Sequence, residues 1–94
     1  MNKLQITDFD ITQYLDDKDI IAEYLSQILA DGNMDELLVA LGNIAKAKGM
    51  TQIANDTGLG RESLYKTFNP KSQPKFDTIM RVMDSLGVKM KISA

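Results

Sequence analysis

Glycine divides this chain into helix-length pieces, and each piece carries an apolar stripe at helical spacing. Ile20, Ile21, Tyr24, Leu25, Ile28 and Leu29 recur at the three-and-four period of one helix face. That run opens near Lys18 behind a cap at Asp16 or Asp17 and closes before Gly32. Asn33 followed by Glu36 resembles a capping box, and Leu37, Leu38, Leu41, Ile44 and Ala45 form the next stripe, ended by Gly49. Thr51 is positioned to cap a short third helix with Ile53 and Ala54 inward, stopping at Gly58. Leu64 and Phe68 mark a fourth helix, stopped at Asn69-Pro70 because a residue before proline avoids the α region. After the polar loop from Lys71 to Lys75, Phe76, Ile79, Met80, Met83 and Leu86 define a fifth helix closed by Gly87. Asp77 in its first turn suits the helix dipole.

The two ends read differently. Val88, Met90 and Ile92 alternate with Lys89, Lys91 and Ser93, which predicts a short C-terminal strand over 88–92. Leu4 and Ile6 alternate with Lys3, Gln5 and Thr7, which suits a short strand or an extended arm. A single strand on a helical domain needs a partner, either the N-terminal strand or a dimer mate. The expected fold is therefore all-α with five helices and a short C-terminal β-strand. With 94 residues, division into two domains would leave each too small to hold a core, so residues 1–94 are read as one domain. Within it, 1–32 form an acidic arm and helix, 33–87 a helical core, and 88–94 the strand.

Composition removes whole classes of chemistry. The chain has no cysteine and no histidine, which excludes disulfide scaffolds, thiol nucleophiles and Ser/His or Cys/His catalytic arrangements. Asp16, Asp17 and Asp19 are the dense carboxylate cluster, and capping at a helix start accounts for them. No phosphate loop of the Walker or Rossmann spacing is present, and the six methionines are scattered as core filler. The expectation is a protein that is not an enzyme and takes no cofactor and no metal. No apolar run approaches the ~20 residues of a membrane span, and no secretory leader pattern is visible, so a cytoplasmic protein is expected.

The net charge of −2 conceals a division. Residues 1–36 hold two bases and nine acids, a net of −7; residues 37–94 hold nine bases and four acids, a net of +5. Such asymmetry points to a polyanion at one end and a basic partner at the other, the alternative being two solvated faces without that meaning.

Residues 51–68 show where a polyanion would bind. Two helices crossing steeply through a short turn need a small residue where they approach, and Ala54 supplies it. The turn needs a residue that tolerates positive φ, and Gly58 supplies that. Leu59 after the turn and Leu64 in the second helix are the apolar anchors. This is the pattern of a DNA-reading helix-turn-helix, whose second helix points its N-terminal residues into the major groove. Here those residues are Gly60, Arg61, Glu62 and Ser63, with Lys66 one turn on. Arg61 is suited to guanine O6 and N7 and Glu62 to cytosine N4. Ser63 and Tyr65 suit phosphates or base edges, and Lys66, Lys71 and Lys75 suit phosphates. Thr51 and Gln52, opening the first helix of the pair, complete the candidate DNA-binding set. The alternative for Arg61–Lys66 is a solvated charge face with Glu62 and Lys66 as an i,i+4 pair.

Four stretches also resemble a known group. They are Leu41-Gly42-x-Ile44-Ala45-x-Ala47-x-Gly49-Met50-Thr51-Gln52-Ile53-Ala54; Gly58-Leu59-Gly60-Arg61-Glu62-Ser63-Leu64-Tyr65-Lys66; Pro74-x-Phe76-Asp77-Thr78-Ile79-x-x-Val82-Met83-x-x-Leu86-Gly87; and the acidic lead-in Asp10-Ile11-x-x-Tyr14-Leu15-Asp16 with Ile21-Ala22-x-Tyr24-Leu25. Together they resemble the addiction-module antidote proteins, HigA-like antitoxins with a Cro/CI-type helix-turn-helix domain, over roughly residues 8–92. The resemblance implies a homodimer that binds a double-stranded DNA operator and represses its own operon. It also implies a RelE/HigB-like toxin, a small basic ribonuclease held inactive by the antitoxin. The family usually has serine at the position of Gly60, where a hydroxyl caps the recognition helix; glycine is a tolerable cap. The toxin-binding candidates, on charge complementarity, are Asp16, Asp17, Asp19 and Glu23. The alternative function is a phage-type repressor of the same fold with no toxin partner.

Overall fold

The structure is a computed structural model that describes residues 10–92 and residue 94. Its helices are α1 (Lys18–Ala30), α2 (Met34–Lys48), α3 (Met50–Thr57), α4 (Arg61–Thr67) and α5 (Phe76–Ser85), with short 3-10 turns at Ile11–Tyr14 and Pro70–Ser72. Among the described residues the fold is all-α and no strand is present.

Side-chain caps open the first two helices where the sequence places them. The Asp17 carboxylate accepts from the Asp19 and Ile20 N–H groups, both at 3.1 Å, and opens α1. The Asn33 side chain accepts from the Glu36 N–H at 3.0 Å and opens α2. Each removes donors that a helix N-terminus would otherwise leave without a partner. Thr51 does not cap α3: the helix begins one residue earlier, with Gly49 at the N-cap. The Gly49 N–H donates to the Ala45 carbonyl at 2.9 Å, so the residue that closes α2 also opens α3. This junction is too short for a separate capping residue.

The core is built around α2, which packs against α1, α3 and both 3-10 turns, while α3 packs on α4 and α5. Ile21 and Leu25 of α1, Leu37, Leu41 and Ile44 of α2, Ile53 of α3, Leu64 of α4 and Val82 of α5 are all buried. At about 1.5–3 kcal/mol per fully buried large aliphatic side chain, these stripes supply the main drive for assembly. Phe76 does not join them. It is the first residue of α5 and is 64% exposed, whereas Ile79, three residues on, is buried.

The expected strand over 88–92 does not form. Leu86 and Gly87 end α5, and Gly87 takes the left-handed conformation at φ +79°. The Gly87 N–H then donates to the Asp84 carbonyl at 3.0 Å and the Val88 N–H to the Met83 carbonyl at 3.1 Å. This is a Schellman closure, with Val88 buried as its apolar contact. Val88, the first residue of the apolar alternation, is thus spent on capping a helix. Residues 89–92 run on outside any ladder among the described residues, and Ile92 is fully in solvent. The N-terminal strand expected at Leu4–Ile6 lies outside the described residues.

Candidate nucleic-acid interface

Helices α3 and α4 are joined by a turn that the side chain of Thr57 holds together. Its hydroxyl donates to the Ile53 carbonyl at 2.7 Å and accepts from the Leu59 N–H at 3.2 Å, so one buried oxygen ties the last turn of α3 to the connection. Gly58 follows at φ +74°, and its N–H donates to the Ala54 carbonyl at 2.9 Å. Leu59 packs at the core edge, and Ile53 and Leu64 are fully buried on either side of the turn. The sequence reading identifies Ala54, Gly58, Leu59 and Leu64 but misses Thr57. The available clue was its spacing: Thr57 lies one helical turn after buried Ile53, so its side chain faces inward and needs a partner.

The opposite side of the pair faces solvent. Thr51, Gln52, Gly60, Arg61, Glu62, Ser63, Tyr65, Lys66, Lys71 and Lys75 are all exposed. Arg61 and Tyr65, and likewise Glu62 and Lys66, lie one turn apart, so α4 carries two outward rows. Gln52 is engaged locally: its Nε2 donates to the Asp56 carboxylate at 2.9 Å. Among the described residues the ion pair within 4 Å is Arg81 with Asp77 at 3.2 Å. Glu62 and Lys66 therefore do not close the i,i+4 pair, and Arg61, Lys66, Lys71 and Lys75 have no carboxylate partner among the described residues. Gly60 takes the extended N-cap conformation, and no side-chain oxygen caps α4.

One cation near this surface was not singled out by the sequence. The Lys46 ammonium, in the last turn of α2, stands 5.9 Å from the centroid of the Tyr65 ring. The two residues are nineteen apart in the chain and are brought together by the fold. One turn back on α2, Gly42 lies against Phe68, the residue that closes α4: a Cβ there would stand 2.9 Å from Phe68 Cβ.

The acidic candidates lie elsewhere, on α1 and the turn before it. Asp16, Asp17, Asp19 and Glu23 are all exposed. Asp17 is already occupied as the cap of α1, and Glu23 accepts from Gln27 Nε2 at 3.2 Å. Nearby, the Thr12 hydroxyl and backbone N–H hold the Asp10 carboxyl below its ordinary value. Burial, helped by the Glu36 charge, pushes the Tyr24 phenol up. Among the described residues no helix is long and apolar enough to cross a membrane.

Comparison with known proteins gives a consistent result. The family model described as "Probable addiction module antidote protein" matches residues 5–94. An uncharacterized protein of Haemophilus influenzae is 41% identical over 88 residues, covering 94% of this chain and 91% of the relative. No solved structure matches the chain. A family match over nearly the whole length, with a relative of such identity and coverage, settles membership: the chain belongs to the addiction-module antidote protein family.

Proposed function

We infer that this chain is the DNA-binding antitoxin of a type II toxin–antitoxin module, and that it binds without catalysing a reaction. Membership in an antidote family suggests an antitoxin role and implies a toxin partner. In the proposed mechanism α3 and α4 act as a Cro/CI-type helix-turn-helix. The start of α4 enters the major groove, Arg61 and Glu62 read base edges, and Lys66, Lys71 and Lys75 meet phosphates. The observation that carries this reading is the exposure of all ten candidate residues on the α3–α4 pair and the loop after it, with their cations unpaired by carboxylates among the described residues. Cations without acid partners are free to replace counterions along a phosphate backbone.

A single small module covers only about 600–1,000 Å² on DNA, so specific binding calls for two half-sites and a homodimer. The segment 89–92 is the proposed dimer contact, because its backbone is unpaired among the described residues and its apolar row ends in exposed Ile92. The operator is proposed to lie upstream of the chain's own reading frame, so that binding represses its own operon. The toxin is proposed to be of the RelE/HigB type, a small basic protein held by the acidic face of α1 in the cytoplasm.

The test is an electrophoretic shift on the duplex immediately upstream of the chain's own reading frame, with a scrambled duplex as control. Arg61→Ala should cost about 1–3 kcal/mol on the upstream duplex and relax discrimination at one base pair. Equal binding of both duplexes by the native chain would reject sequence-specific recognition. Co-purification of a tagged copy from the native host, with the partner identified by mass, checks the toxin.

A further inference from the structure

We propose that the DNA-facing surface extends from α4 onto the last turn of α2, where Lys46 is a phosphate-contacting residue positioned by Tyr65. The inference rests on the DNA-binding reading above and adds to it a residue from a helix outside the reading pair. Lys46 Nζ lies 5.9 Å from the Tyr65 ring centroid, and both side chains are exposed. Tyr65 stands one turn after Arg61 on the outward face of α4. Lys46 therefore continues the row that begins at Arg61, extending the surface sideways from α4 to α2.

The position of Lys46 is set by the seam between those helices. Gly42 lies one turn before Lys46 on α2, and Phe68 lies three residues after Tyr65 beyond the end of α4. A Cβ at Gly42 would stand 2.9 Å from Phe68 Cβ, so the backbone of α2 is in direct contact with that side chain. Gly42–Phe68 and Lys46–Tyr65 are successive rungs of one seam. The first sets α2 against the residue that closes α4, and the second places an ammonium over an aromatic face.

At nearly 6 Å the cation–ring attraction is weak and leaves the ammonium's three donors available. It orients the lysine stem without neutralising the charge. No carboxylate stands within ion-pair distance of Lys46 among the described residues. A flexible point charge of this kind suits a phosphate oxygen better than a base edge. The predicted contact is therefore independent of sequence, unlike that of Arg61.

The experiment measures salt dependence of binding to the upstream duplex and to a scrambled duplex of the same length. It compares the native chain, Lys46→Gln, Lys46→Arg and Arg61→Ala, with the thermal midpoint of each recorded. Lys46→Gln should lower the slope of log K against log salt by about one on both duplexes, a loss of roughly eightfold near 0.1 M salt. Its thermal midpoint should match that of the native chain, and Lys46→Arg should restore the slope. An unchanged slope in Lys46→Gln, with Arg61→Ala still losing preference for the upstream duplex, would overturn the inference and leave the DNA reading intact. If the native chain bound neither duplex at low salt, the reading and the inference would fall together.

Discussion

A methyl group at Gly42 would collide with Phe68, meeting its Cβ at 2.9 Å and its Cγ at 3.1 Å. In an ordinary helix interior, replacing glycine by alanine gains about 0.5–1 kcal/mol through reduced backbone freedom. Here the obstructing atom is bonded directly to the Phe68 backbone and cannot swing aside, so overpacking of about 1–3 kcal/mol opposes that gain. Gly42→Ala should therefore lower stability by about 1–2 kcal/mol in denaturant unfolding. In a Phe68→Gly background the same change should become neutral or favourable, since the obstructing Cβ is gone. A Gly42→Ala protein as stable as the native one would show that α4 shifts at no cost. Thr57 makes a related point at the same scale, since the turn between α3 and α4 depends on a hydroxyl whose partners are backbone groups on both sides of it. Neither residue stands out in a hydropathy pattern. Gly42 is visible only as a glycine that a helix interior should avoid, and Thr57 only by its spacing from Ile53.

The apolar period determined every helix of this chain, because α1, α2, α3, α4 and α5 each bury one stripe and the stripe survives in the sequence. Chain breaks were equally legible at Asp17, Asn33 and Gly58, where the local bonding uses the residue types expected. The C-terminal segment departs from its strand pattern because alternation records which side chains are apolar but not where the backbone N–H groups go. Val88 shows the difference: its side chain fits the strand pattern, while its N–H is committed to the Met83 carbonyl. The residues of the tail with unpaired backbone are 89–92, and they are the part available to a dimer mate. A chain ending at Val88 keeps the closure of α5 and its buried side chain, so it should fold like the native protein. If the tail makes the proposed dimer, it should sediment as a monomer and the native chain as a dimer, with weaker binding of the truncated chain to the upstream duplex. A truncated chain that remained a dimer would remove the tail from the proposed interface.

Over the whole molecule, charge is sorted by helix. Of the acids in residues 1–36, Asp16, Asp17, Asp19 and Glu23 lie exposed on α1 and just before it, whereas the bases Arg61, Lys66, Lys71 and Lys75 belong to α4 and the loop that follows. α1 packs on α2 and α4 on α3, within a body of 37 × 27 × 23 Å. Screening over about 10 Å at 0.1 M salt lets two such regions act on different partners with little mutual interference. One region can therefore engage the proposed basic toxin while the other engages DNA. Asp17 belongs to both the fold and the acidic face, since its carboxylate caps α1, so a clean test must leave it in place. The combined variant Asp16→Asn, Asp19→Asn, Glu23→Gln removes three charges and keeps the cap. With the co-purified toxin, its association rate should fall about tenfold or more at low salt and converge on the native rate as salt rises. The salt slope for the upstream duplex should not change, because no phosphate-facing cation has been altered. Toxin capture as fast and as salt-sensitive as in the native chain would place the toxin contact on a surface other than α1.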